Sequence, residues 1–159
     1  MKHTPRLLFV CSGNLHRSVM AQALGGAMMD QAGRKVIVGS AGTLGLQGRA
    51  APPEVIEVCR QYGLDVSDHS SRPLTRSLIQ HSDAIVVMEE AHGDMVLRLE
   101  PEADSRLFFL GDYAPEPGDI ADPIGEPLER FVQSRDHILL CLQRLLPELL
   151  RHLEVRAGL

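Results

Sequence analysis

The stretch Leu7-Leu8-Phe9-Val10-Cys11-Ser12-Gly13-Asn14-Leu15-His16-Arg17-Ser18 runs from apolar residues through a polar turn into an amphipathic segment. An uninterrupted apolar run bounded by turn residues predicts a buried strand over 6–10, and the spacing that follows predicts a helix over 18–32. A thiol at the carboxyl end of such a strand lies opposite a helix amino terminus, where unpaired N–H groups and the helix dipole favour negative charge. Cysteines in that setting ionise readily, and the same place suits a phosphate. Gly13 and Asn14 are residue types that tolerate left-handed backbone, so the turn can aim successive N–H groups at one anion. Arg17 adds a planar fork that grips two phosphate oxygens at once. Ser12, Gly13, Asn14, Leu15, His16, Arg17 and Ser18 therefore read as an anion cradle with Cys11 as nucleophile at its base. Ser18 can both cap the helix and hydrogen-bond the thiolate. No Gly-x4-Gly-Lys-Ser/Thr sequence occurs, which argues against a nucleotide-binding phosphate loop.

Working outward, short apolar runs alternate with amphipathic stretches, the rhythm of a parallel sheet with crossover helices. Strands are predicted at 35–39, 83–88 and 106–110, and helices at 52–62, 74–81, 90–100 and 127–153. In the last segment Leu128, Phe131, Val132, Leu139, Leu142, Leu145, Leu146, Leu149 and Leu153 recur at helical spacing as a core-packing face, and Pro147 should kink or divide the helix. The expected fold is α/β: one domain over 1–159, a four-stranded parallel sheet with helices on both faces, flavodoxin-like or Rossmann-like. Ligands of such sheets bind outside the carboxyl ends of the strands, where the strand order switches, and Cys11 ends the first strand.

The chain has 159 residues, 44% hydrophobic and 23% charged, the make-up of a soluble globular domain. A net charge of −5 with no basic stripe argues against nucleic acid as a partner. No window approaches a membrane span, and the apolar run before Cys11 is too short for a signal-peptide core. Three cysteines without a pairing pattern suggest a reducing compartment, so a cytoplasmic location is expected. Cys59 and Cys141 fall in amphipathic segments and read as buried small hydrophobes. Oligomeric state is not legible.

Attack of a thiolate on phosphorus also needs a proton for the departing group. Residues 111–126, the longest segment without apolar periodicity, carry Asp112, Glu116, Asp119, Asp122 and Glu126 and no base. Composition leaves Asp119 and Asp122 both open as the acid.

The stretch from Val10 to Ala21 resembles the signature of the low-molecular-weight protein tyrosine phosphatases. Ser40-Ala41-Gly42-Thr43, Tyr62-Gly63-Leu64-Asp65, His69-Ser70-Ser71-Arg72, Asp83 to Met88 and Asp122-Pro123 resemble the family's later landmarks in the same order. The resemblance implies a metal-independent, cofactor-free phosphatase acting on phosphorylated protein or peptide through a phosphocysteine. It implies that Asp122 is the general acid, with Asp119 in reserve, and that Asn14, Ser40 and His69 hold the loop's shape.

Several positions depart from the family. His16 stands where many members carry a second cysteine able to shield the nucleophile as a disulfide, so an oxidised Cys11 should pass more readily beyond the sulfenic state. Val19 and Gln22 replace a proline and an acid after the signature. Leu46 and Ile124-Gly125 occupy places that are aromatic in phosphotyrosine enzymes, each lost aromatic pair being worth about 0.5–1.5 kcal/mol. Asp122-Pro123-Ile124-Gly125 also resembles the branch containing protein arginine phosphatases, whereas Leu15 is the tyrosine-type residue, so the two selectors disagree. A thioredoxin-coupled arsenate reductase would need two further cysteines near the third strand, and 79–95 contains none. A non-catalytic phosphate-binding module is disfavoured by Cys11, Arg17 and Asp122 occurring together.

Overall fold

The computed structural model describes residues 2–158. Strand β1 (Arg6–Cys11) is fully buried after its first residue, as a strand covered on both faces must be, and its apolar run supplies side chains to both. Leu7 and Phe9 face one core cluster and Leu8 and Val10 the other. Helix α1 (Arg17–Gln31) follows, then β2 (Ile37–Gly42), α2 (Pro53–Arg60), α3 (Arg76–Gln80), β3 (Ala84–Val87), α4 (Glu90–Leu99), β4 (Leu107–Phe109) and α5 (Leu128–Ala157). All pairings are parallel and the strand order is β2-β1-β3-β4. Buried side chains of α1, α2 and α5 join the Leu7 and Phe9 face, and Ile79 of α3 and Val96 of α4 join the other. The order reverses between β1 and β3, so the carboxyl end of β1 is the switch point.

Three sequence expectations shift. The second strand lies at Ile37–Gly42 instead of 35–39, because pairing with β1 extends it through the weakly apolar Gly39-Ser40-Ala41-Gly42, in register Phe9 to Ser40 and Cys11 to Gly42. Pro147 does not divide the last helix, which is continuous for 30 residues. Pro147 and Gln143, whose carbonyl loses its partner, both face solvent, where water satisfies it, while Leu142, Leu145 and Leu149 keep the opposite face buried. Gly13 has no left-handed backbone. Asn14 alone among the non-glycine residues described does, at φ 55°.

Candidate active site

The loop from Cys11 to Arg17 joins β1 to α1, and its shape is set by Asn14, which is completely buried. The Asn14 Nδ2 group gives one proton to Ser18 Oγ at 2.8 Å and the other to Ser40 Oγ at 2.9 Å. Its Oδ1 accepts the Arg72 N–H at 3.0 Å, and its backbone carbonyl accepts from His69 Nε2 at 2.7 Å. Every polar group of that side chain is used, which offsets the cost of a left-handed non-glycine residue. Ser40 passes its own proton to Gln22 Oε1 at 2.6 Å, and Arg72 Nε donates to the Ser40 carbonyl at 2.9 Å. Gly42 lets β2 lie against the loop, since a Cβ there would stand 2.7 Å from Ser12 O and 2.9 Å from Asn14 N.

Cys11 Sγ lies 2.9 Å from Ser18 Oγ. Because Ser18 Oγ accepts from Asn14, its hydroxyl proton is free to point at the sulfur. Cys11 is only 2% exposed, so the sulfur is reached through the cradle.

Arg17 is 1% exposed and held on several sides. Its Nη1 donates to the Glu89 carboxylate and to Ile120 O at 2.7 Å. Its Nη2 donates to Ser12 Oγ at 3.3 Å and lies 3.5 Å from Asp122 Oδ2. The buried Nε has no protein partner and is available to an anion in the cradle. His92 braces the same corner. Its Nδ1 accepts the Glu89 N–H at 3.0 Å, so the imidazole is neutral and Nε2 donates to Ser12 Oγ at 2.9 Å. Burial, and then the Arg17 charge, hold His92 below the usual imidazole range, in keeping with that neutral form.

The two candidate acids separate cleanly. Asp119 is exposed, and its carboxylate accepts the Glu90 N–H at 2.8 Å at the start of α4. Asp122 faces the cradle, 3.1 Å from His16 Nδ1 and 3.5 Å from Arg17 Nη2. Burial pushes its carboxyl upward, but the His16 hydrogen bond and the Arg17 charge outweigh it and leave it below the ordinary carboxylate range. The walls near the loop are aliphatic: a Cβ on Gly13 would meet Leu46 at 3.7 Å and Leu15 at 3.9 Å. Ile124, two residues beyond Asp122, is 67% exposed.

The structure thus brings Cys11, Ser12, Asn14, His16, Arg17, Ser18, Ser40, His69 and Asp122 together. Gln22 and Arg72 had no site role in the sequence, and Glu89 and His92 were not singled out there. The last two were findable in principle, because Glu89 and His92 follow directly on β3, the strand beside β1 across the switch point. Cys59 of α2 and Cys141 of α5 are fully buried in the core, and burial pushes the Cys59 thiol up to about 11. Neither lies near the third strand in sequence, where a thioredoxin-coupled arsenate reductase would carry its relay cysteines.

The family model "Low molecular weight phosphotyrosine protein phosphatase" matches residues 6–155. A probable low-molecular-weight protein-tyrosine-phosphatase, EpsP, of Ralstonia nicotianae is 38% identical over 132 residues, 83% of this chain and 87% of that protein. A protein-arginine-phosphatase of Geobacillus stearothermophilus is 34% identical over 145 residues, 91% of this chain and 95% of that protein. Among solved structures, Vibrio vulnificus Wzb in complex with benzylphosphonate superposes with a TM-score of 0.82 at 28% identity, covering 92% of this chain and 99% of that one. With the signature loop, the switch-point placement and these matches in agreement, the chain belongs to the low-molecular-weight phosphotyrosine protein phosphatase family.

Proposed function

We propose that the protein is a metal-independent phosphatase that removes phosphate from protein side chains or aryl phosphates through a phosphocysteine formed on Cys11. The observation that carries this reading is the buried Arg17 guanidinium closing the loop that starts at Cys11, with Nε unpaired while its other nitrogens are tied to Glu89, Ile120 O and Ser12. In this reading the Cys11 thiolate attacks phosphorus in line, Arg17 and the loop N–H groups neutralise the equatorial oxygens, and Asp122 protonates the leaving oxygen. Asp122, now a carboxylate, then takes a proton from water as it hydrolyses the phosphocysteine, and phosphate leaves. Ser18 stabilises the thiolate at both ends of the cycle.

Phosphotyrosine is the first substrate class, supported by the aliphatic Leu15 in the loop and by the tyrosine phosphatase relatives. Phosphoarginine is the second, supported by the Geobacillus relative and by the Asp122-Pro123-Ile124-Gly125 turn, in which Gly125 is left-handed at φ 76°. A reducing cytoplasm suits an enzyme with a catalytic thiol and no disulfide among its described cysteines. No helix among the described residues is long and apolar enough to cross a membrane.

Cys11→Ser should abolish turnover of a generic aryl phosphate while retaining phosphate or vanadate binding, and persistent turnover would end the proposal. Asp122→Ala should slow poor leaving groups far more than good ones, and equal slowing would move the acid elsewhere. A turnover panel of phosphotyrosine and phosphoarginine peptides separates the two substrate classes.

A further inference from the structure

Resting on Asp122 as the proton donor, we propose that His16 is a positioning residue that reserves one oxygen of that carboxylate for proton transfer. Asp122 Oδ1 accepts two hydrogen bonds, from the Ile124 N–H at 3.1 Å and from His16 Nδ1–H at 3.1 Å. A carboxylate oxygen has two lone pairs, so both acceptor sites of Oδ1 are taken and the transferable proton belongs on Oδ2. Oδ2 is the oxygen beside Arg17 Nη2, at 3.5 Å, and the same Nη2 donates to Ser12 Oγ of the loop, so Oδ2 is on the side of the cradle that takes the phosphoryl group in this reading. The His16 hydrogen bond favours the carboxylate, so His16 acts by where it leaves the acid proton, on the reacting face, and not by making Asp122 a readier acid.

The imidazole is itself fixed. His16 is the last residue before α1, where its carbonyl accepts the Met20 N–H at 3.0 Å. Its ring lies edge-on to Phe131 of α5, with centroids 5.5 Å apart and planes at 76°. Of the charged groups nearby, Arg17 reaches the carboxylate from the loop. Glu126, Arg130 and His137 border a cavity of about 290 Å³ beside Asp122 and make no hydrogen bond to its carboxylate. A cysteine at position 16 would be too short and too weak a donor for this contact. The departure from the family that costs Cys11 a neighbouring thiol therefore gives Asp122 a partner.

The test compares aryl phosphates with good and poor leaving groups in the wild type, His16→Leu, His16→Asn, Asp122→Ala and the His16→Leu/Asp122→Ala double variant. Inorganic phosphate inhibition reports whether the cradle is intact. In His16→Leu, kcat for the poor leaving group should fall about tenfold more than kcat for the good one, part of the roughly 10²–10⁴ that a placed acid supplies, with phosphate inhibition reporting separately any change in the cradle. His16→Asn, which keeps an N–H near the place of Nδ1, should recover most of the loss. The double variant should be no slower than Asp122→Ala alone, because His16 acts only through that carboxylate. Equal slowing of both leaving groups in His16→Leu, no rescue by Asn, or additive losses in the double variant would each overturn the role of His16 and leave Asp122 as the acid. If Asp122→Ala itself slows both leaving groups alike, the acid assignment fails first and this inference falls with it.

Discussion

Replacing Asn14 with alanine tests whether one buried side chain holds the cradle in shape. The substitution removes three hydrogen bonds, to Ser18 Oγ, to Ser40 Oγ and from the Arg72 N–H, at 2.8, 2.9 and 3.0 Å. At about 1 kcal/mol net for each, their loss costs about 3 kcal/mol. Alanine must also take up the left-handed backbone at φ 55°, which adds about 1 kcal/mol. The expected loss of about 4 kcal/mol corresponds to a fall in Tm of about 8–16 °C for a chain of this size. Asn14→Gly loses the same hydrogen bonds without the backbone term and should be about 1 kcal/mol the more stable of the two. Urea unfolding midpoints measure the stability, and inorganic phosphate inhibition measures the cradle in whatever fraction remains folded. Both variants should bind phosphate more weakly, since the loop N–H groups no longer converge. A loss under about 1 kcal/mol with unchanged phosphate inhibition would show that the loop is shaped by something other than this network.

The buried His92 should make stability pH-dependent. Its folded-state affinity for protons is held below the ordinary 6.5, so near and below that pH the unfolded chain binds the proton first, and stability is lost as pH falls. The stability gap between wild type and His92→Asn should therefore be widest at about pH 7.5 and narrow towards about pH 5, and parallel urea-midpoint profiles would refute this. Peroxide should inactivate the enzyme with little recovery on adding thiol, because the other cysteines are fully buried and His16 stands beside Arg17 in place of a resolving thiol. His16→Cys should recover a larger fraction, read as activity regained after dithiothreitol, and full recovery of the wild type would contradict the reasoning.

The segment from Arg6 to Gln31 was legible because its signals are contiguous: an apolar run, a polar turn with Cys11 and Arg17, and an amphipathic helix. The face of α5 from Phe131 to Leu153 was legible for the same reason, since 3.6-residue periodicity is a local property, whereas Leu128 at the start of the helix is exposed. What the sequence left open lies between elements. Asp119 and Asp122 have the same chemistry and are separated by two residues, and only the docking of their loop decides that one meets the amino end of α4 while the other meets His16 and Arg17. Glu89 and His92 reach the cradle because β3 pairs with β1, and Ser40 reaches Asn14 because β2 pairs with β1 as far as Gly42.

The sequence by itself marked the candidate nucleophile and anion cradle and determined the parallel α/β arrangement, because each rests on neighbouring residues whose backbone preferences and burial pattern act locally. The tertiary structure decided which carboxylate faces the cradle, which residues fix Arg17 and Asn14, and that His16 reaches Asp122. Apart from Asn14–Ser18 and Arg17–Ser12, those contacts span 26 to 106 positions of chain, and their geometry comes into being only when the strands align and the loops at their carboxyl ends close on one another.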